Sequence, residues 1–561
     1  MSKLKESFIE LNGRERAKAL LDSGVGIELL DPFEGMKSPH LEPQGIVPQN
    51  DDGVIVIKGE IDGERVVVIS IEGAFQGGGI GEVSGAKIAG ALELALKDNR
   101  EGKKIVPVVV FDTGGVRLQE ANYGLLSIAE IQGAIVALNE YVPTIGIIPG
   151  KVGGFGGMSI TAALFSHLMI TPSGRYGLNG PEVIEQEAGV RELDSSDKKM
   201  IWEMIGGTQR VKTGLVDMLI EDDIDEILSN VKKAMKEHPV KNRTEEINFY
   251  LTLINQAFAQ DTFTPKDYEK LYHHLKEQEV EELPKERVKA SDQKEDQSRG
   301  RKWFEALTSV QSPSGWASTV LSHSNENESY IAVVPDSYSR FKRARHGEVG
   351  LYEGWKIAQT VQGFIKRDQK NEKKRAIIAV IDVPSQAYGY KEEVLGINVA
   401  LAASVNMLAK ARLYGHPVIG FIPGNAISGA FLALGLQANA LLSLDDDKIN
   451  VQAMSKKSAA RITKRTIREL EEATKKVPAM AYDIHSYKTL GALSQLITNI
   501  NGEDPSEEDI HIVKDALITS IHDVQNRNDR SLSIRLETKE ALLGGRKASI
   551  EVRERMKKQW N

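Results

Sequence analysis

Cysteine is missing from all 561 residues. That excludes disulfides, thiolate nucleophiles and cysteine-ligated zinc, and it fits a reducing compartment. Long apolar runs are scarce too. No stretch reads as the roughly 18 residues of a membrane span. The first 30 residues are charged and lack the apolar core of a signal peptide, so the expected location is the cytoplasm. Positive charge is not in excess: 71 Lys and Arg stand against 79 Asp and Glu, a net −8. A nucleic-acid partner is therefore not expected. His40, His167, His323 and His416 show no metal-ligand spacing, and no metal site is expected. A G-x-S-x-G elbow is absent, and the glycine run 77–81 lacks the GK[ST] ending of a P-loop.

What remains is ordinary for a soluble globular chain, with 41% hydrophobic and 27% charged residues. The length is too great for a single core and demands at least two domains. The stretch 143–182, which begins PTIGIIPGKVGGFGGMS, reads as a buried strand over 145–148, a glycine turn, an apolar helix and a strand over 168–171. Around it, 8–30 reads as helical to near Gly24. Segments 54–58 and 65–72 read as a hairpin, 84–98 as a helix, 105–111 as a buried strand and 123–140 as a helix. The alternation predicts a sheet with covering helices.

The theme returns about 270 residues later. Pro143, Gly146, Pro149 and Gly150 recur in spacing as Pro417, Gly420, Pro423 and Gly424. Asp112 in FDTGG recurs as Asp382 in IDVPSQ. Strands over 330–334 and 376–382, a helix over 350–366 and a long helix over 392–413 keep the same order, so two copies of one fold are predicted. The expected domains are 1–264 and 301–498, joined by a charged linker over 265–300 and followed by a polar helical extension over 499–561.

In each copy two loops follow buried strands and offer backbone N–H groups. Such a pair makes an oxyanion hole for an enolate or a tetrahedral intermediate. In the first copy the loops carry Gly114 and Gly115, with Gly153 and Gly154. In the second they carry Ser385 and Gln386, with Gly429 and Ala430. Glu120, Tyr123, Tyr388 and His346 lie near these loops but read individually as packing or surface residues.

The motifs FDTGGVRLQE (111–120), AFQGGGIGEVSGAKI (74–88) and KVGGFGG with SGRYGLNGPEVI (151–184) resemble the carboxyltransferase subunits of biotin-dependent carboxylases, within the crotonase superfamily. ELLDPFEGMKSPHLEPQGIVPQNDDG (28–53) resembles more narrowly the beta subunit of biotin-independent malonate decarboxylase. ARHGEVGLYEGW (344–355), IDVPSQAYGYKEEVLGI (381–397) and VPAMAYDI (477–484) resemble its gamma subunit.

The resemblance implies an α/β chain of two crotonase-like, carboxyltransferase-type domains, a fusion of beta and gamma. It implies decarboxylation of a malonyl thioester on an acyl carrier protein, giving the acetyl thioester and CO2. The carrier's arm, a phosphoribosyl-dephospho-CoA group, would be held by a partner subunit, with no biotin. An acetyl-ACP:malonate ACP transferase (alpha) subunit is the other expected partner in a hetero-oligomer. Gly429 and Ala430 with Ser385 or Gln386 are the expected hole for the enolate oxygen. Gly114, Gly115, Gly153 and Gly154 are expected to hold the arm or orient the carboxylate. Gly77, Gly78, Gly79 and Lys87 are the expected arm-binding set. Ser385 and Ala430 stand where biotin carboxyltransferases of this type carry glycine, which leans away from a biotin partner. The competing expectations are a biotin-dependent carboxyltransferase and a non-catalytic carrier-binding scaffold.

Overall fold

The computed structural model describes residues 6–260, 262–278, 298–310 and 319–560. Of the expected linker, Pro265–Lys276 is a helix, and 279–297 lies outside the described residues. The chain forms two compact units: Met1–Glu245 with Thr264–His273 and Ala548–Asn561, and Glu246–Phe263 with His274–Lys547.

The first unit is built on seven strands in sequence order: β1 (Gly26–Leu29), β2 (Val54–Ile61), β3 (Glu64–Ile71), β4 (Val106–Val110), β5 (Ile145–Ile148), β6 (His167–Ile170) and β7 (Met218–Leu219). The pairs β1–β2 and β2–β3 are antiparallel, and the rest are parallel. The middle strands are buried on both faces, which is why VPVVV and IGII read as unbroken apolar runs. The N-terminal stretch is less helical than its pattern suggests. Asn12 opens a helix, α1 (Gly13–Ala19), through a reciprocal capping box with Glu15. Positive φ at Ser23 and Gly24 then ends the turn, and the chain enters β1.

Helix α2 (Glu82–Arg100) packs on the sheet and α3 (Ala121–Leu138) against α2, and α4 (Gly156–Ala163) follows the glycine turn. Residues Leu118–Leu138 correct the expectation that no stretch is apolar enough to span a membrane. They pass by length and composition, but 94% of that window is buried inside the protein. Here an apolar helix is core, packed mainly against α2 and the α4 that follows.

The second unit repeats the plan with six strands, β8 (Val320–Ser324), β9 (Glu328–Val333), β10 (Ala376–Val380), β11 (Val418–Ile422), β12 (Ala440–Leu444) and β13 (Gln495–Ile497), again in sequence order. Only β8–β9 is antiparallel. Its helices include α5 (Leu351–Asp368), α6 (Ile397–Leu413) and α7 (Ser428–Leu434). Gly396, at φ +79°, breaks the single helix expected over 392–413 into a short turn and α6. The last helix, α8 (Lys547–Trp560), returns to the first unit.

Candidate functional site

The repeat extends to individual hydrogen bonds. In the first unit Phe111 N–H donates to Ile147 O and Thr113 N–H to Gly153 O, both at 2.7 Å. In the second, Ile381 N–H donates to Phe421 O and Val383 N–H to Asn425 O, both at 2.7 Å. The offset is 274 at the strand (421 − 147) and 272 at the turn (425 − 153), so the first glycine loop is two residues longer. The upstream loop matches as well. Ile80 N–H donates to Gly115 O and Arg117 N–H to Ile80 O; Val349 N–H donates to Ser385 O and Ala387 N–H to Val349 O. Val116 therefore corresponds to Gln386, Gly156 to Ser428 and Gly157 to Gly429.

A carboxylate at the end of the central strand fixes each second loop. Asp112 Oδ1 accepts from Val152 N–H at 2.8 Å and Gly153 N–H at 3.2 Å, while its Oδ2 pairs with buried Arg16 at 2.9 Å. Asp382 Oδ1 accepts from Asn425 N–H at 3.0 Å and its Oδ2 from Gly300 N–H at 2.9 Å. Strand-end Asp residues thus aim the turn that starts α4 and α7.

Most of the glycine N–H groups expected to face a ligand are already engaged. Gly114 N–H donates to Gly77 O at 2.8 Å, and Gly115 N–H to Thr113 Oγ1 at 3.0 Å. Gly153 N–H goes to Asp112 and Gly154 N–H to Arg175 O at 2.9 Å. These four glycines build the wall of the site. A methyl added at Gly115 would stand 2.9 Å from Gly156 Cα, so the two loops touch, and only glycine permits it at φ +98°.

The open donors lie beside them. Among the described residues no acceptor bonds the Val116 N–H. Its flanking groups, Gly115 O and Arg117 N–H, both face Ile80, so the Val116 amide faces the other way, toward the start of α4. Gly157 and Met158 occupy the first turn of α4, where no intrahelical carbonyl is within reach. The cap residue Phe155 supplies no side-chain acceptor. A methyl at Gly156 would lie 3.8 Å from Val116 N, which places the two donor segments side by side.

In the second unit the structure brings Gln386 and Gly429 together in a different sense. Gly429 N–H donates to Gln386 Oε1 at 3.0 Å, and Gln386 is 6% exposed. The amide oxygen takes up one donor of the expected hole. Ala430 is fully buried on α7, and Ser385 gives its carbonyl to Val349 N–H.

The residues expected to bind the arm are mostly engaged within the fold. Gly78 and Gly79 N–H groups close turns onto Phe75 O and Gln76 O, and Gly77 O and Gly78 O accept from the 113–114 loop. Lys87 is fully buried on α2 and donates to the carbonyls of Leu30, Asp51 and Val54. Burial pulls its ammonium down to about 8. It anchors the 30–54 segment and cannot reach a phosphate in solvent.

Next to the site lies a buried ionic cluster. Arg117 pairs with Asp52 at 2.7 Å and Glu120 at 2.8 Å. Burial, helped by the Glu120 charge, pushes the Asp52 carboxyl up to about 6 despite Arg117. His40 stacks on Tyr123 and lies 2.6 Å from Glu82. Burial works against its protonated form, but the Glu82 bond and the nearby carboxylates leave its pKa raised. Glu120 is thus engaged by Arg117 and by the Glu82 N–H, and Tyr123 by the His40 ring.

Two family models match the chain: a carboxyl transferase domain over 11–282 and the malonate decarboxylase gamma subunit over 344–560. Malonyl-S-ACP:biotin-protein carboxyltransferase MADC of Malonomonas rubra is 36% identical over 292 residues, 50% of this chain and 92% of that protein. The chain belongs to the malonate decarboxylase family of carboxyltransferases. It joins the carboxyl transferase and gamma-type regions in one polypeptide. MADD of the same organism is 37% identical over 166 residues, 29% of this chain and 57% of that protein. A chain of a Pseudomonas malonate decarboxylase hetero-tetramer in complex with malonate is 52% identical, with 48% of this chain and 98% of that one covered and a TM-score of 0.47.

Sequence reasoning singled out the glycine loop 153–157 but chose Gly153 and Gly154 in it rather than Gly157, and it passed over Val116. The signal was available in the repeat. Gly429 was chosen in the second copy, and its counterpart is Gly157, not Gly153 or Gly154.

Proposed function

We propose that this family member decarboxylates a malonyl thioester carried on the arm of an acyl carrier protein, releasing CO2 and leaving the acetyl thioester. The bond between Cα and the carboxylate breaks, and its electron pair moves into the thioester to form an enolate. The Val116 and Gly157 N–H groups hold the enolate oxygen, and Cα then takes a proton. The observation that carries this reading is the side-by-side placement of these two amide segments, neither of which is spent on the fold. Preorganised donors of this kind favour the transition state because no dipole has to turn during the reaction.

The carrier's phosphoribosyl-dephospho-CoA arm and the malonate-loading alpha subunit belong to partner chains in this reading, which needs no biotin and places the enzyme in the cytoplasm. MADC, a biotin-protein carboxyltransferase by name, supports a second reading in which the carboxyl group passes to biotin on a partner.

The test is CO2 release by the purified full chain from malonyl-CoA and from a malonyl carrier conjugate, without biotin or ATP. Release with the conjugate is expected. No release from either substrate, with turnover restored by a biotinylated partner, would replace the first reading with the second.

A further inference from the structure

We infer that Ser549, on the last helix, is a positioning residue for the donor loop 115–117 of the first unit. Helix α8 presents one buried stripe, Ser549, Val552, Met556 and Trp560, at spacings of three and four. It runs along α2. Gly90 admits it: a methyl there would stand 3.3 Å from Arg553 Cγ and 3.4 Å from Met556 Sδ. Arg553 pairs with Glu93 and with Glu130, each at 2.8 Å, and Trp560 Nε1 donates to Asp98 at 3.1 Å.

At its start the helix meets the residue that opens α2. Ser549 N–H and Oγ both donate to Glu82 Oε1 at 3.0 Å, while His40 holds Oε2. Glu82 is 2% exposed, so its oxygens need these donors. Two residues earlier in the chain, Ile80 bonds the carbonyl before Val116 and the amide after it, at 2.8 and 2.9 Å. Glu82 N–H donates to Glu120 Oε1, and Glu120 pairs with Arg117, the neighbour of Val116. Two routes therefore run from Ser549 to the Val116 peptide plane, one through backbone and one through the carboxylate–guanidinium pair. The sequence that completes this loop comes from the far end of the chain, inside the region matched by the gamma-subunit model.

The consequence for catalysis rests on the proposed role of Val116, so the test has two readouts on the full-length chain. In Ser549→Ala, amide hydrogen exchange over 113–117 is expected to quicken about five- to tenfold, the scale of one lost hydrogen bond. The kcat should fall by a similar factor with KM unchanged, because the loop acts on the transition state. Arg553→Gln, which loosens the same helix from α2, should quicken the same segment. Unchanged exchange over 113–117 in both variants overturns the positioning role. Quickened exchange with unchanged kcat upholds the positioning role and instead removes Val116 from the chemistry.

Discussion

The two units share a strand order and a hydrogen-bond plan, yet they differ at three matched positions that decide what each can do. Where the first has Val116, the second has Gln386; where it has Gly156, Ser428; where it has Ser84, Glu353. The valine side chain offers nothing to the adjacent helix start, so the first unit's donors stay open. The glutamine fills the matching place with its own oxygen. Backbone geometry sets the same pair of donor loops side by side in both copies, and one side chain sets whether a donor is taken up.

The carboxylates that aim the turns give the sharpest break in this symmetry. Asp112 answers a buried guanidinium as well as backbone amides, whereas among the described residues Asp382 answers backbone amides alone. Asp112→Ala strands Arg16 and should cost about 3–5 kcal/mol. Asp382→Ala should cost about 1–3 kcal/mol, the scale of leaving buried backbone donors unpaired. Denaturant titration of each variant measures both, and equal losses would remove Arg16 from the account.

The caps of α2 and α5 differ in their response to pH. Gly81 N–H is held by Ser84 Oγ, and Gly350 N–H by Glu353. Glu353 is fully buried, and burial outweighs its bonds from Thr319 and Gly350 and lifts its pKa from 4.5 to about 7. A carboxyl raised on folding binds its proton more tightly in the folded state. Its contribution is fully present below pH 4.5 and is lost as pH climbs to about 7, amounting to roughly 3 kcal/mol. Glu353→Gln should flatten this fall in a stability–pH profile. A profile with the wild-type slope would place the titration elsewhere.

The smallest expected effect concerns Ser428, at φ +62°, where the first unit has Gly156 at φ +57°. The left-handed region costs a non-glycine residue roughly 1–2 kcal/mol. Ser428→Gly should raise the stability of the second unit by about 1 kcal/mol, and a loss would show that the Oγ outweighs the strain.

Much of this was legible in the sequence. Unbroken apolar runs marked the central strands, and the matched spacing of Pro417, Gly420 and Asp382 marked the repeat. The motifs around Gly114 and Gly154 located the loops. What the sequence did not show is which way each amide points, because that depends on partners far along the chain. Gly153 looks like a free donor until Asp112 is seen across from it. Lys87 looks like a phosphate ligand until three carbonyls surround it. Val116 carries no mark at all, since a backbone donor leaves no trace in the identity of its side chain.

The central claim is that the Val116 amide is a catalytic donor in the first unit. The direct measurement is kcat for malonyl thioester decarboxylation in Val116→Pro beside Val116→Ala. Proline removes this N–H and no bond of the fold, because the segment is extended against Ile80 and the amide is unpaired there. The account predicts a loss of about 10²–10³ in kcat for proline, with KM and thermal midpoint preserved and alanine close to wild type. A proline variant that is folded and fully active would contradict it.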